Sequence, residues 1–189
     1  MKKLNSEKTI YSLKQAMIEL LSEKAYSQIS ITDVTTKANL NRTTFYMFFS
    51  SKKDLLINIS EDLLYDSEQF LQEFFDAAGD CQRRDIILKI YKYNTKRIAE
   101  YRAMFDIDEN FLCFFDAYEE TIKKTCEREI DRRYPQVNRT NRLLYCEWFT
   151  ASLVSTFRVF IREELQEVEE LADLILICLE RGFDSILQG

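Results

Sequence analysis

A chain of 189 residues can form one large domain or two small ones that share a core. Hydrophobic residues make up 46% and charged residues 31%, which is typical of a globular protein. Three glycines and one proline are too few for the turns of a sheet-rich fold, so we predict an all-α protein.

The net charge of −6 is unevenly distributed. Residues 1–55 contain nine Lys or Arg against five Asp or Glu, a net charge of +4, which leaves −10 on the remainder. A basic N-terminal segment on an acidic body favours a small DNA-binding head. Chance clustering of charges is the alternative interpretation of this observation alone.

The first predicted helix spans about residues 6–25, where Ile10, Leu13, Met17 and Leu21 recur at helical spacing. Further helix-start signals follow in the sequence ISITDVTTKANLNRTTFYMFFSSKKDLL. The first of these signals is a capping box. In this motif a Ser hydroxyl oxygen accepts a hydrogen bond from the amide of an Asp three residues later, and the Asp carboxylate accepts one from the Ser amide. Ser30 and Asp33 form this box at the start of one helix, and Asn41 is the predicted N-cap of the next helix. The two short helices predicted after these caps span about residues 31–38 and 42–48.

The break between these two helices is very short. Only Asn39 and Leu40 lie outside a helix or its cap, and asparagine tolerates the left-handed conformation of a tight turn. Ser51 and Asp54 form a further capping box, which predicts a longer helix over about residues 52–75. This order of helix, tight turn, short helix and longer helix is that of a helix-turn-helix DNA-binding protein.

Three stretches of this segment, SITDV at 30–34, ANLNRTTFY at 38–46 and FSSKKDLL at 49–56, match a known family in register. They resemble the DNA-binding domain of the TetR family of bacterial transcriptional regulators, and the resemblance covers about residues 7–56. It implies a three-helix helix-turn-helix domain over residues 1–56, with the helix after the second cap as the recognition helix. By the same resemblance, Tyr46 and Lys52 are phosphate contacts.

The exposed side of the recognition helix supplies the candidate DNA contacts. Leu40, Phe45 and Phe49 face the core if Asn41 caps this helix, so the intervening side chains point outward. Arginine and hydroxyl groups can hydrogen-bond to bases or phosphates, and methyl groups can contact thymine. The candidate DNA-binding residues are Thr32, Asn41, Arg42, Thr43, Thr44, Tyr46, Met47 and Lys52.

Lys52 and Lys53 lie in the first turn of their predicted helix. Positive charge there opposes the helix dipole at a cost of about 0.3–1 kcal/mol. A phosphate bound at this N-terminus would offset that cost, whereas two solvated lysines are the alternative interpretation.

Residues 57–189 are predicted to form an all-α regulatory and dimerisation domain, linked to the head by the long fourth helix. Gly79 and Asp80 mark a break, Pro135 ends a helix, and the stretch over 101–108 is shorter and less regular. The predicted helices span about residues 84–100, 110–134, 140–164 and 167–188.

The last predicted helix carries an apolar stripe wider than one contact face requires, which favours a partner chain. By layout, the last two helices resemble the dimerising four-helix bundle of the TetR family. That resemblance implies a homodimer on a near-palindromic site in double-stranded DNA. The candidate dimer-interface residues are Trp148, Leu171, Leu174, Ile175, Cys178, Leu179 and Phe183.

Aromatic residues are dense in the first part of this body. They suit an apolar ligand pocket with a few polar groups, although aromatics at helical spacing are more often plain core. The family resemblance implies a small-molecule effector bound in the body. The candidate pocket residues are Tyr91, Phe105, Phe111 and Tyr118.

The five cysteines are widely spaced and the chain has no histidine, so we predict neither a metal site nor a cofactor. They fit buried small hydrophobes in a reducing cytosol, and the alternative is a redox-sensing thiol, for which Cys81 is the best candidate. The longest aliphatic run, residues 174–179, is far too short to span a membrane, and no secretion signal is apparent. We therefore expect a cytoplasmic protein.

Together these features predict a dimeric transcriptional regulator, most simply a repressor that a small-molecule effector releases from its operator. The alternative is a related regulator or activator whose body binds a protein partner. We do not expect an enzyme, because the sequence lacks histidine and any nucleophile–base constellation.

Overall fold

The structure is a computed structural model that describes residues 2–105, 114–163, 165 and 167–179. Within these ranges the chain forms α-helices and one 3₁₀ turn, Tyr26–Gln28, and no strand, which confirms the predicted all-α fold. No helix among these residues is long and apolar enough to cross a membrane. The helices are α1 Lys2–Glu23, α2 Ile31–Lys37, α3 Arg42–Tyr46, α4 Lys52–Asp76, α5 Asp80–Lys96, α6 Ile98–Phe105, α7 Phe114–Arg133, α8 Arg139–Glu163 and α9 Val168–Cys178.

Most helix boundaries lie close to the predicted ones, with several differences. Helix α1 begins at Lys2 rather than near residue 6, and the helix predicted over residues 84–100 ends at Lys96 and is followed by α6. The recognition helix α3 ends at Tyr46 rather than near residue 48, although the Phe49 amide still donates to the Phe45 carbonyl at 2.9 Å. Helix α5 begins at Asp80, directly after Gly79 and four residues before the predicted start near residue 84. The Gln82 side chain accepts a hydrogen bond from the Ala78 amide at 2.8 Å, which supports this earlier start.

The chain divides into two compact units. Among the described residues, the first unit comprises residues 2–63, 99–105 and 114, and the second comprises 64–98 and the residues from 115 onward. Most of α6 therefore belongs with the N-terminal helices, whereas the sequence placed it in the body. The domain boundary at residue 56 stays a prediction.

The core of the first unit is apolar and aromatic. Phe45, Leu55 and Leu56 are fully buried, and Leu13 and Met17 from α1 are buried equally completely. Burying a side chain of this size contributes about 1.5–3 kcal/mol relative to exposure. This packing fixes the side of α3 that remains outside.

The core of the second unit is dominated by aromatic pairs. The rings of Tyr91 and Phe160 meet edge-on with centroids 4.9 Å apart, and Tyr118 stacks on Phe157 at 5.0 Å. Helices α5 and α9 pack together, and Lys92 forms an ion pair with Glu169 at 2.8 Å across them. The apolar side of α9 that faces α5 is therefore part of the unit's own core.

Candidate nucleic-acid interface

The start of α2 is fixed by the predicted capping box. The Ser30 hydroxyl oxygen accepts a hydrogen bond from the Asp33 amide at 3.1 Å, and Asp33 Oδ2 accepts one from the Ser30 amide at 2.8 Å. The Lys24 ammonium lies 3.1 Å from the same carboxylate. Two amides that a helix N-terminus would leave unpaired are thereby satisfied.

Hydrogen bonds from the Ser30 backbone and hydroxyl, with the Lys24 ammonium, lower the pKa of Asp33 from 3.8 to about 2. A carboxyl whose pKa is lower in the folded state stabilises the fold above its unfolded pKa and ceases to do so as pH falls through its folded pKa. We expect Asp33→Asn to lower the thermal unfolding midpoint at neutral pH. The difference from the unsubstituted protein should shrink between pH 3.8 and about 2, and a pH-independent difference in thermal melts would contradict this assignment.

The turn between α2 and α3 adopts the tight geometry that the sequence predicted. Asn39 has a φ of 53°, the only positive value at a non-glycine residue among those described. The Leu40 amide donates to the Thr35 carbonyl at 2.8 Å and the Asn39 amide to the Thr36 carbonyl at 3.1 Å. These two bonds form a Schellman motif, which ends α2 within two residues.

Helix α3 begins at its predicted cap. Asn41 Oδ1 accepts hydrogen bonds from the Thr44 amide at 2.7 Å and from the Thr44 hydroxyl at 3.0 Å. Phe45 is fully buried, and its ring lies 5.9 Å from that of Phe49. The cap and this buried ring orient α3, which packs on α2.

The side of the helix-turn-helix away from the core presents most of the predicted DNA-binding side chains. Tyr46 and Met47 are 51% and 73% exposed. Thr44 is half-buried because its hydroxyl is engaged with the cap. The other exposed candidates are Thr32, Asn41, Arg42 and Thr43.

The Lys52 side chain makes contacts within the protein that the sequence did not predict. Its ammonium donates to the carbonyls of Tyr26 and Ile29, both at 2.8 Å, and lies 4.1 Å from the centre of the Tyr26 ring. Nothing in the local sequence signals these partners, because they precede Lys52 by 26 and 23 residues. The predicted phosphate contact is thus already engaged with the protein backbone.

The start of α4 differs in detail from the predicted capping box. The Ser51 hydroxyl oxygen accepts from the Asp54 amide at 3.1 Å, as expected. The Asp54 carboxylate instead accepts from the amide of Ser50 at 2.7 Å, one residue further back. The helix start at Lys52 is unchanged.

The excess positive charge of the N-terminal segment is partly neutralised within the first unit. Lys37 pairs with Glu23 at 2.7 Å and with Glu19 at 3.3 Å, and Lys14 pairs with Asp62. Arg42, by contrast, is exposed and makes no ion pair with any residue that the structure describes. It is therefore available to an anionic partner.

The second unit contains a small apolar cavity of about 60 Å³. Two of the four predicted pocket residues, Tyr91 and Tyr118, line it together with the buried Asn94. Burial raises the pKa of Tyr91, so its hydroxyl stays protonated. The side chain of Phe105 and the whole of Phe111 lie outside the described residues.

The predicted dimer-interface residues divide into two groups. Trp148 and Leu174 are 48% and 60% exposed, and Cys178 is also exposed. Ile175 and Leu179 are buried in the second unit, where they line the cavity, and Leu171 is half-buried. Phe183 lies outside the described residues.

A capped pair of helices joined by a tight turn, with an exposed second helix, defines this chain as a helix-turn-helix protein of all-α fold. Residues 14–59 match the family model described as bacterial regulatory proteins, tetR family. Residues 14–59 are therefore a DNA-binding domain of the TetR-family type.

Relatives agree with this assignment. The dhaKLM operon transcriptional activator DhaS of Lactococcus lactis subsp. lactis (strain IL1403) is 31% identical over 115 residues, which are 59% of this chain and 58% of DhaS. YvdT of Bacillus subtilis (strain 168), an uncharacterised HTH-type transcriptional regulator, is 48% identical over 50 residues, or 26% of each chain. These alignments therefore span less than two thirds of each relative.

Solved structures extend the likeness of the fold to almost the whole chain. The dihydroxyacetone kinase operon activator DhaS superposes with a TM-score of 0.65 at 21% identity, covering 94% of this chain and 97% of DhaS. A TetR transcriptional regulator from Streptococcus agalactiae 2603V gives 0.58 at 23% identity, covering 93% of this chain and 95% of the other. The all-α layout of the described residues is thus that of a TetR fold.

Proposed function

We propose that this protein is a sequence-specific transcriptional regulator that binds a near-palindromic operator as a homodimer. The observation that carries this proposal is the capped α2–turn–α3 unit with Arg42, Tyr46 and Met47 on its exposed side. An exposed arginine can hydrogen-bond to guanine in the major groove, and tyrosine can reach a phosphate. Thr32, Asn41, Thr43 and Thr44 complete the proposed contact surface.

An exposed apolar surface on α8 and α9 supports the homodimer. A groove of about 760 Å³ runs between these helices, lined by Thr156, Leu171, Leu174, Ile177 and Cys178 among others. Large contiguous apolar surfaces are rarely left open to water on monomers. A two-fold dimer presents two recognition helices, which need a separation of about 34–36 Å to enter successive major grooves.

The cavity of the second unit supports a proposal that a small-molecule effector controls DNA binding. The simplest outcome of effector binding is release of the protein from its operator. Its apolar lining with Tyr91 and Asn94 suits a small, mainly apolar molecule that has a hydrogen-bonding group. At about 60 Å³ it is smaller than typical ligand pockets of about 300–1,000 Å³, so such an effector must enlarge it. That enlargement would couple binding to movement of the packed helices.

An activator is the second candidate. DhaS, which shares the fold over 94% of this chain, is described as an operon activator. In that case the apolar groove, or the remaining surface of the body, would bind a protein partner. Activation and repression differ in where the operator lies relative to the promoter, so both use the same DNA-binding surface.

Selection of bound DNA from a random duplex pool tests the proposal. We expect an enriched inverted repeat with half-sites about one helical turn apart and a complex of two chains per duplex, measured by light scattering. No enrichment over an unselected pool would refute sequence-specific binding. The selected site is then placed either downstream or upstream of a reporter promoter. Reporter expression with and without the protein distinguishes repression from activation.

A further inference from the structure

Two cysteine side chains meet in the core of the second unit. Cys126 lies on α7 and Cys146 on α8, and their Sγ atoms are 3.6 Å apart. Cys126 is completely buried and Cys146 is only 1% exposed, and both are free thiols. Packing of the two helices therefore places side by side two thiols that are 20 residues apart along the chain.

The packing of α7 against α8 is suited to a bond between these sulfurs. An S–S bond is about 2.05 Å long, so the two Sγ atoms have to approach each other by only about 1.5 Å. Ion pairs on both sides of the thiols hold the two helices in register. Lys123 pairs with Glu147 on one side, and Arg142 pairs with Asp131 at 2.6 Å on the other.

The two thiols differ in their environment. The Cys126 thiol donates a hydrogen bond to the Cys146 sulfur, which lowers the pKa of Cys146 and raises that of Cys126. The Arg142 guanidinium also lowers the pKa of Cys146, whereas burial and the Glu127 and Asp131 carboxylates oppose this effect. Because the thiolate is the nucleophilic form of cysteine, Cys146 is the thiol of the pair that is better suited to attack an oxidant.

The structure assigns Cys126 and Cys146 as an oxidisable dithiol, which an oxidant of the peroxide class converts into an intrachain disulfide. Cys146 loses its proton and its thiolate attacks a peroxide oxygen. The O–O bond breaks, Cys146 becomes a sulfenic acid, and the departing hydroxide takes up the proton to form water. This step oxidises one sulfur and leaves the neighbouring thiol unchanged.

Cys126 completes the reaction. Its sulfur attacks the sulfenic sulfur of Cys146, the S–S bond forms and the S–O bond breaks. The hydroxide that leaves takes the proton of the Cys126 thiol and becomes a second water. In total the two thiols lose two electrons and two protons, and one peroxide is reduced to two waters.

Burial determines which oxidants can reach the pair. Both sulfurs are shielded from solvent, so attack requires local opening of the α7–α8 helix pair. A small neutral molecule such as hydrogen peroxide needs less opening than a bulky aromatic disulfide reagent. We therefore expect peroxide to oxidise the pair under conditions in which such a reagent leaves it unmodified.

A disulfide at this position would connect two walls of the cavity. Ile122 on α7 lines the cavity and precedes Cys126 by one helical turn, and Phe149 on α8 lines it about one turn after Cys146. Oxidation therefore links α7 and α8 beside the cavity and restricts their separation. The consequence for an effector, which would find the cavity harder to enlarge, rests on the proposed function, whereas the disulfide itself does not.

A variant with Cys81, Cys113 and Cys178 all replaced by serine isolates the pair. The protein is treated with hydrogen peroxide, denatured and alkylated with iodoacetamide, and its mass is then measured. We expect two alkyl groups on the untreated protein, none on the oxidised protein, and two again when dithiothreitol is added before alkylation. Peptide mapping should show a Cys126–Cys146 link within one chain, and mapping of the unsubstituted protein gives the same readout if the variant does not fold.

Three results would overturn the assignment. They are two alkyl groups retained after peroxide treatment, a loss of alkylation that dithiothreitol does not restore, and a link that joins two chains. Matched single substitutions in the same background test the order of attack. With Cys126→Ser, Cys146 should accumulate a sulfenic acid that dimedone traps, and with Cys146→Ser the remaining Cys126 should be trapped several-fold more slowly, so equal or reversed rates would contradict the assigned roles.

The physical effect of the bond is measured on the purified oxidised chain. The disulfide closes a short loop around the α7–α8 connection, so the melting temperature should rise by several degrees. Amide hydrogen exchange should slow in α7 and α8 and stay unchanged in α1, α2 and α3. An unchanged melting temperature with unchanged exchange would refute the coupling of the two helices, and none of these measurements uses DNA or an effector, so they stand even if no operator is selected.

Discussion

Replacement of Arg42 by alanine is expected to weaken operator binding by about 1–3 kcal/mol, a loss of roughly 5- to 150-fold in affinity, if its guanidinium contacts a base. Arg42 is the first residue of α3, is exposed, and makes no ion pair with a described residue. Its replacement would therefore remove the proposed DNA contact without breaking an ion pair within the described protein. Fluorescence anisotropy with the selected duplex and with single-base variants measures both the affinity and the position that loses discrimination.

Arg139→Ala is the matched control for this experiment. It removes the same charge from an exposed position at the start of α8, in the second unit. We expect operator affinity to change by less than twofold. Equal losses in both variants would mean that Arg42 acts only through net charge, and an unchanged affinity for Arg42→Ala would remove α3 from the proposed interface.

The second large effect is expected in the core beneath α3. Phe45→Ala should lower the free energy of unfolding by about 3–5 kcal/mol, because it leaves a cavity under the recognition helix. Phe45 is fully buried and touches the rings of Tyr46 and Phe49, at 5.6 and 5.9 Å between centroids. Urea unfolding followed by circular dichroism measures the loss, and operator binding should disappear with the folded first unit.

Met47→Ala serves as the comparison for Phe45→Ala. Met47 is two residues away and 73% exposed, so its truncation should change the free energy of unfolding by less than about 0.5 kcal/mol. The anisotropy assay measures the DNA affinity of Met47→Ala, and a loss of affinity without a loss of stability would support Met47 as part of the contact surface. A loss of stability comparable to that of Phe45→Ala would contradict the burial pattern of α3.

Local chemistry in the sequence determined the helix-turn-helix almost residue by residue. The caps at Ser30 and Asn41 form as predicted, and Asn39 takes the left-handed conformation of the turn. These features depend on side chains that bond to backbone groups within three or four residues, so neighbouring residues contain all the information. The same locality explains why the all-α fold follows from few turn residues and helical periodicity.

Contacts distant along the chain were decided only by the tertiary structure. The bonds from Lys52 to the carbonyls before α2, and the meeting of Cys126 with Cys146, join residues 20 to 26 positions apart. The sequence favoured Cys81 as the reactive thiol, because it lies in a polar break and is therefore expected to be exposed. The sequence does not indicate which two cysteines lie next to each other in the folded protein. Pairing of this kind depends on how helices pack, and helical periodicity specifies which face is buried without specifying what it is buried against.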